Sequence, residues 1–288
     1  MLPLRDENPT THFPFVTVAI IALNVLAFLL WEPTFASSQE RQQTFFFCHG
    51  LIPYEAIHHV NLAQGGEPAR QAIDQADLGV RGQELQRFLA KRCPHKNWLF
   101  SVFTSMFLHA GWIHIGGNML FLWVFGNNVE DKIRPFGFLL FYLAAGIIAA
   151  VVQLALVHAG ANDVLPNIGA SGAIAGVLGA YLFMFPRRRV LTLVIFFLIT
   201  IVYLPAYIVL GFWFVLQAFS GLLALSSQVN AGGGVAFWAH IGGFVFGALM
   251  ARLFFPRERL MARPPPPRPD LWGRRRFGRR RRPPFSGG

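Results

Sequence analysis

Apolar residues in this chain run in long stretches instead of alternating with polar ones. Formal charge is absent from 12–31 and from the 33 residues of 97–129. It is also absent from 135–159, from 170–186 and from the 62 residues of 190–251. Because a helix needs about 20 apolar residues to cross a hydrocarbon core about 30 Å thick, the pattern predicts several membrane-crossing helices.

Dividing these stretches by length gives six helices. The stretch 97–129 is too long for one crossing and too short for two, so we expect one helix preceded by a piece (97–111) lying in or dipping into the outer leaflet. Within 190–251, Gly221 and Gly232–Gly234 mark the break between two helices, and 190–203 is left as an interfacial strand or loop. The predicted helices cover about 13–31, 112–129, 135–159, 170–186, 204–225 and 235–255.

The composition supports a membrane protein. Hydrophobic residues make up 54% of the chain and charged residues 14%, against roughly 25% charged in soluble domains. These values exclude a typical soluble globular protein, a disordered protein and a nucleic-acid-binding domain. We therefore predict an all-α polytopic membrane protein with a six-helix bundle and a long extracytoplasmic first loop.

The position of positive charge predicts the orientation of the helices. Lys and Arg in short loops mark the cytoplasmic side of a membrane, and here they occur at Lys132, Arg134 and Arg187–Arg189. We expect both termini in the cytoplasm, with 1–11 as the N-terminal segment and 32–96 outside. Helices two, four and six would then all run from the outer to the inner side.

The C-terminal tail carries most of the net charge of +11. Residues 252–288 hold 12 arginines against two acidic residues, and the composition of 256–288 predicts a disordered Arg/Pro-rich cytoplasmic tail. Such a tail either contacts anionic inner-leaflet lipid or is solvated and only fixes topology. No motif supports nucleic-acid binding.

Four polar residues are predicted at one depth of the bundle. Polar residues inside membrane helices are costly and are therefore functional candidates. His114 and Asn118 share one face of helix two, Ser171 begins helix four, and His240 lies near the start of helix six. By helix rise all four should lie roughly 5–10 Å below the outer surface.

These residue types suit acyl transfer. A serine hydroxyl becomes a nucleophile when a histidine takes its proton, and Asn118, His114 and the amide of Ser171 could donate to an oxyanion. No Asp or Glu is predicted at this depth, so the site would be a Ser–His dyad. Each residue alone also fits a packing or interfacial role, and only their shared depth favours a site.

Three stretches carry these residues, namely His109–Met119, Gly169–Gly176 and Ala239–Gly247. They resemble motifs of the rhomboid intramembrane serine proteases, in the order of that family, and the resemblance covers about 12–255. It implies Ser171 as nucleophile, His240 as general base and then acid, and His114 and Asn118 as oxyanion donors. The implied reaction is hydrolysis of peptide bonds in or near transmembrane segments of single-span or polytopic substrates, without a metal or cofactor.

The resemblance also implies structural roles for residues beside the site. His109 would shape the first loop and Gly169 the tight turn into helix four. Gly172, Gly243 and Gly247 would allow close packing of helices. Helix five, with Phe212–Phe214, would be a lateral gate for the substrate. The chain departs from some rhomboids at Ala175, where they carry a Tyr that packs on the catalytic His, and at Phe100-Ser101, where they carry Trp-Arg. We expect a multi-pass protein of a bacterial plasma membrane.

Other interpretations remain open at this point. A catalytically silent rhomboid-like protein could bind or chaperone membrane proteins, and a transporter could line a path with polar residues. In the first loop, Cys48 and Cys93 could form a disulfide closing a loop of about 45 residues, remain two thiols, or hold a metal together with His49 and His95.

Overall fold

The computed structural model describes residues 1–33, 39–76, 81–156, 163–195, 199–226 and 236–254. The chain begins with strand β1 (Leu2–Asp6) and helix α1 (Phe15–Leu26), which a π-helical turn extends through Ala27–Trp31. The glycine loop Gly232–Gly234 and the tail 256–288 lie outside the described residues.

The segment predicted as a long loop contains four helices: α2 (Gln39–His49), α3 (Pro53–His58), α4 (Gly66–Gln75) and α5 (Gly82–Arg92). We call them the α2–α5 unit. Its buried apolar side chains form a cluster of their own, separate from the main core. The sequence interpretation placed this segment outside the membrane, as the predicted topology requires, but did not reveal these helices.

Helix two of the sequence interpretation and the piece expected before it form a bent arrangement. Helix α6 (Trp98–Thr104) continues into a 3₁₀ turn (Ser105–Phe107) and meets the next helical rod at 79°. That rod consists of α7 (Trp112–Phe121), a π-helical turn (Leu122–Gly126) and α8 (Asn127–Ile133). The separate piece expected before helix two is therefore a short helix and a turn.

The rod passes the predicted end at residue 129 because Glu130 has partners. Its carboxylate accepts hydrogen bonds from the amides of Val16 and Thr17 at 2.9 and 2.7 Å, and from the Thr17 hydroxyl. The first amides of a helix have no partner within the helix and attract negative charge. Glu130 therefore caps α1 from a neighbouring helix.

Helices α9 (Pro135–Leu156) and α10 (Ser171–Met184) lie close to the predicted bounds. Helix α10 has only 14 residues, and most of its side chains are buried. It is the central helix of the bundle and packs between α9 and the last helix of the bundle.

The chain then forms strands β2 (Arg189–Ile195) and β3 (Ile199–Pro205), followed by α11 (Ala206–Ser226) and α12 (Phe237–Phe254). The strands pair antiparallel in the order β1-β2-β3, with Leu2 opposite Leu193. A strand was one expectation for 190–203, but the pairing with the N-terminus was not expected. The all-α class is therefore wrong in this detail: the fold is mostly helical with one small sheet.

Among the described residues, three helices are long and apolar enough to cross a membrane, and counting the bent pair of α6 with α7–α8 gives up to four. The helices Phe15–Trp31 and Ser171–Met184 are apolar but shorter. The fold is that of a polytopic helical membrane protein.

Glycines allow α12 to lie directly on α10. A Cβ added at Gly243 would overlap the carbonyl oxygen of Gly172, and one added at Gly247 would overlap that of Gly176. On its α9 side, α10 presents Gly172 to Ala149. Small residues permit this backbone approach where no hydrophobic force draws helices together.

Candidate active site

Ser171 is the first residue of α10, and the turn before it requires glycine. Gly169 has a φ of +127°, a conformation that side-chain-bearing residues rarely adopt. A Cβ there would also lie 3.0 Å from His114 Nε2 and 3.4 Å from Ser171 Oγ. The Gly169 amide donates to the Ser105 carbonyl at 2.8 Å, which fixes the turn against the segment before α7.

His240 lies in the first turn of α12, and its Nε2 is 2.7 Å from Ser171 Oγ. Both side chains are half-buried. The contact is possible because α10 and α12 meet through Gly172 and Gly243, one residue after Ser171 and three after His240. The two residues predicted at one depth are thus within hydrogen-bond distance.

The other ring nitrogen of His240 contacts a residue that the sequence interpretation missed. Nδ1 lies 2.8 Å from Gln217 Oε1 on α11, and the Trp213 ring lies 5.8 Å from the His240 ring. The partner is an amide, whereas the absence of Asp and Glu at this depth had predicted a dyad without a third group. The available signal was that Gln217 is the one amide side chain in an otherwise apolar helix.

His114 and Asn118 share one face of α7, as predicted. The Ala110 amide donates to His114 Nδ1 at 3.2 Å, so the ring proton belongs on Nε2, the nitrogen near Gly169 and Ser171. Asn118 is 9% exposed, and its Nδ2 finds no hydrogen-bond partner among the described residues. A buried amide donor without a partner is suited to a transient acceptor.

His109 lies behind His114. Its ring is fully buried and meets the His114 ring edge-on at 5.1 Å, and its amide donates to Glu32 at 2.9 Å. Burial raises the pKa of Glu32 to about 7. The sequence interpretation assigned Glu32 to the outer loop, whereas the structure has it supporting the segment that leads into α7.

A cavity of about 50 Å³ opens beside Ser171. Small residues Gly146, Ala149 and Gly172 form part of its wall, and Ser105, Gln153 and Asn167 contribute polar groups. Among these, Gln153 Oε1 already accepts from the Ala239 amide at 3.1 Å. The space suits a small side chain or water, in line with its volume.

The α2–α5 unit holds the segment that precedes Ser171. Leu51 and Asn167 exchange two backbone hydrogen bonds of 3.2 and 2.7 Å, and the Tyr54 amide donates to the Asp163 carbonyl at 2.8 Å. The Thr104 hydroxyl donates to the His49 carbonyl at 2.6 Å. The segment leading into Ser171 is therefore fixed from outside the main bundle.

Cys48 and Cys93 form a disulfide between the end of α2 and the end of α5, with their Cα atoms 5.3 Å apart. Of the three alternatives left open, the structure supports the disulfide, because thiols bonded to each other cannot also bind a metal through thiolate. No group of three or more potential metal ligands occurs in the part of the chain that the structure describes.

Comparison with known proteins identifies the family. A family model described as the rhomboid domain matches residues 96–257. Rhomboid protein 1, mitochondrial, of Saccharomyces cerevisiae is 25% identical over 182 residues, which are 63% of this chain and 50% of that protein. Rhomboid protease GluP of Bacillus subtilis is 35% identical over 151 residues, 51% of this chain and 24% of that protein.

A human relative, the presenilin-associated rhomboid-like protein, mitochondrial, is 32% identical over 149 residues, 50% of this chain and 35% of that protein. The chain thus covers half or less of the length of each of these three relatives. The matched region includes every residue proposed above for the site, and the family model covers more than half of the chain. The chain therefore belongs to the rhomboid family.

Proposed function

We propose that this protein is an intramembrane serine endopeptidase that hydrolyses peptide bonds in or near transmembrane segments of membrane proteins. The observation that carries the proposal is the 2.7 Å contact between Ser171 Oγ and His240 Nε2. A nucleophile within hydrogen-bond reach of its base is the geometric requirement for this chemistry.

The reaction follows from the positions of the side chains. Ser171 Oγ attacks the scissile carbonyl carbon while His240 Nε2 takes its proton. The carbonyl oxygen becomes an oxyanion that accepts hydrogen bonds from Asn118 Nδ2, His114 Nε2 and the Ser171 amide. The imidazolium then gives its proton to the leaving amine as the C–N bond breaks, and a water activated by His240 hydrolyses the acyl-serine ester.

The relatives' names support a hydrolase without deciding the point for this chain, because one is called a protease and the others only rhomboid proteins. The alternative is a catalytically silent member that binds membrane proteins. The proposal is favoured by the contact of Ser171 with His240, by the small cavity beside Ser171, and by His114 and Asn118 on one face of α7. A silent binding protein has no need of a serine hydroxyl within hydrogen-bond distance of a histidine ring nitrogen.

The proposal includes a topology of six crossings with both termini in the cytoplasm of a bacterial cell. It is supported by the residues around α8: Asp131 accepts from the Thr11 and His12 amides at 3.0 and 2.9 Å, which holds the N-terminus beside Lys132 and Arg134. Positive charge near short loops favours the cytoplasmic side. Ser171 would then lie towards the outer surface, within reach of water.

The test is cleavage of single-span reporters by the purified protein in lipid. We expect wild type to cleave and to be labelled by a fluorophosphonate, and Ser171→Ala to lose both, with cleavage falling by more than about 10³-fold. Thr44→Ala, which removes a hydroxyl that donates within α2 to the Glu40 carbonyl, is the matched control. A wild-type protein that is folded, binds reporter and neither cleaves nor reacts would favour the silent alternative.

A further inference from the structure

We propose that Gln217 on α11 is a positioning residue for His240, so that the catalytic base is competent only while α11 is docked against α12. The inference rests on the proposed function. It assigns a third member to the site and a partner that differs from the acid of a conventional triad.

The first step is the tautomer of His240. A neutral imidazole has one N–H donor and one acceptor nitrogen. Gln217 Oε1, 2.8 Å from Nδ1, can only accept, so the ring proton belongs on Nδ1. Nε2 then presents its lone pair to the Ser171 hydroxyl at 2.7 Å. In the other tautomer Nε2 would carry the proton and could not act as base.

The second step is the orientation of the ring. Two ring nitrogens tied to residues on two different helices fix both the position and the rotation of the imidazole. Trp213, one turn before Gln217 on the same face of α11, adds a tilted ring contact at 5.8 Å. The position where some rhomboids pack a Tyr on this histidine is Ala175 here, so α11 supplies the aromatic contact instead of α10.

An amide suits position 217 because the surrounding helix is apolar. A carboxylate buried in an apolar helix carries a large desolvation cost, whereas a neutral amide can accept the same hydrogen bond at much lower cost. Gln217 would therefore fix the tautomer without adding a charge to the membrane. Gln217 would, however, stabilise the charged imidazolium less than a carboxylate would.

The third step links the base to α11. Its other large side chains near this level, Phe212, Val215, Leu216 and Phe219, are well exposed on the protein surface, while Trp213 and Phe214 pack on Phe244 of α12 at 6.0 and 4.6 Å. A displacement of α11 that admits a substrate helix would remove Gln217 from Nδ1. The base would regain its tautomer only when α11 returns.

Enzyme kinetics with matched variants test this role. Gln217→Met keeps the length of the side chain but removes the acceptor, and we expect kcat to fall about 10- to 100-fold, as for other orienting partners, with KM within about twofold, since the substrate contacts are unchanged. Leu216→Ala, on the exposed face of the same helix, should leave both constants near wild type. Melting temperatures in lipid check that each variant is folded.

The pH profile supplies a readout that a merely structural role would not move. Among the described residues, His114 of α7 is the titratable group that acts on His240. The ring contacts the neutral Ser171 of α10 and Gln217 of α11, and Gln153 of α9 bonds the neighbouring Ala239 amide. In Gln217→Glu a carboxylate would still accept from Nδ1 and would stabilise the imidazolium. We expect activity to be retained to within about tenfold and the acid limb of kcat to move to higher pH.

A small fluorophosphonate separates positioning from substrate passage, because it reaches Ser171 without a substrate helix. We expect its labelling rate to fall in parallel with kcat in Gln217→Met. Wild-type kcat and labelling in that variant would overturn the inference while Ser171→Ala remained inactive. Normal labelling with slow cleavage would also overturn it, by assigning Gln217 to passage. An unreactive wild type would instead overturn the proposed function.

Discussion

Two parts of this molecule meet near Ser171 and are held together in different ways. In the contact of α10 with α12, glycines let backbone lie on backbone, as at Gly247 over Gly176. In the α2–α5 unit, stability comes from a disulfide, an apolar cluster and a buried ion pair between Lys96 and Glu55 at 2.7 Å. The difference reflects the surroundings, because lipid provides no hydrophobic force between helices and water does.

The comparison shows that the position of Ser171 depends on both parts. Its own helix is fixed by packing against α12 and α9, whereas the segment before it is fixed by Leu51 and Tyr54 of the other unit. The bundle thus determines whether Ser171 meets His240, and the α2–α5 unit determines the path of the chain into the helix. The following predictions separate these two contributions.

The largest effect is expected from Gly247→Ala. The new Cβ would overlap the Gly176 carbonyl oxygen, and a backbone atom cannot rotate away. We expect a loss of about 1–3 kcal/mol or more in stability, seen as a lower melting temperature in lipid, together with loss of reporter cleavage. Gly211→Ala on α11 is the matched control, because a Cβ there meets nothing within 4 Å. Equal melting temperatures for the two variants would contradict backbone-to-backbone packing.

Gly169→Ala should impair activity more than stability. The φ of +127° is strained for alanine, and the added carbon would crowd His114 Nε2. We expect kcat to fall about 10²-fold, comparable to the loss of one oxyanion donor, while the melting temperature changes little. The measurement is reporter cleavage beside thermal unfolding. Gly116→Ala, a position with open space on α7, should behave as wild type.

Removing the disulfide tests the other part. Cys48→Ser with Cys93→Ser, or reduction of the wild type, should lower the stability of the α2–α5 unit by about 2–4 kcal/mol. Because Leu51 follows α2 closely and pairs with Asn167, we expect a several-fold loss of cleavage with Ser171–His240 geometry retained. Reporter cleavage before and after reductant measures the loss, and fluorophosphonate labelling checks that Ser171 and His240 stay in place. The double variant, which should not respond to reductant, is the control, and unchanged cleavage by reduced wild type would contradict a role of the disulfide in holding Leu51 against Asn167.

The smallest expected effect is a change of melting temperature with pH, caused by Asp6 at the end of β1. Asp6 accepts from the Tyr181 hydroxyl and from Asn128 Nδ2, both at 2.7 Å, and burial raises its pKa from 3.8 to about 6. The folded state therefore binds a proton more tightly than the unfolded state, so stability falls as pH rises through this range. We expect a melting temperature a few degrees lower at pH 7 than at pH 5.

Asp6→Asn should lose this dependence, since the amide oxygen can still accept from Tyr181 but does not titrate. The exposed neighbour Glu7 provides the matched control Glu7→Gln, which should keep it. Thermal unfolding across the pH range measures both. A steep pH dependence in Asp6→Asn would assign the effect to another group.

Sequence alone predicted the parts of the structure that depend on local pattern. Long apolar stretches gave α9 and α10 close to their observed ends, and the shared depth of Ser171 and His240 follows from helix rise. The features that the sequence did not predict depend on partners far away in the chain. The helix continues past Glu130 because the amides of α1 donate to its carboxylate, and β1 forms because it pairs with β2, which lies almost 190 residues later. Gln217 was missed for the same reason, since its partner lies on another helix.

The carboxylates of Glu130 and Asp131 have a consequence for how this bundle can deform. Between them they bind the backbone of residues 11, 12, 16 and 17, which anchors the start of α1 to the end of α8. Helix α11 is bonded by backbone at its start, where the Ala206 and Tyr207 amides donate to the Arg188 and Pro186 carbonyls at 2.8 and 3.0 Å, and it contacts α12 further along through Trp213 and Phe214 on Phe244. A tilt of α11 would therefore pivot about its first residues, and the lever arm would carry Gln217 further than Ala206.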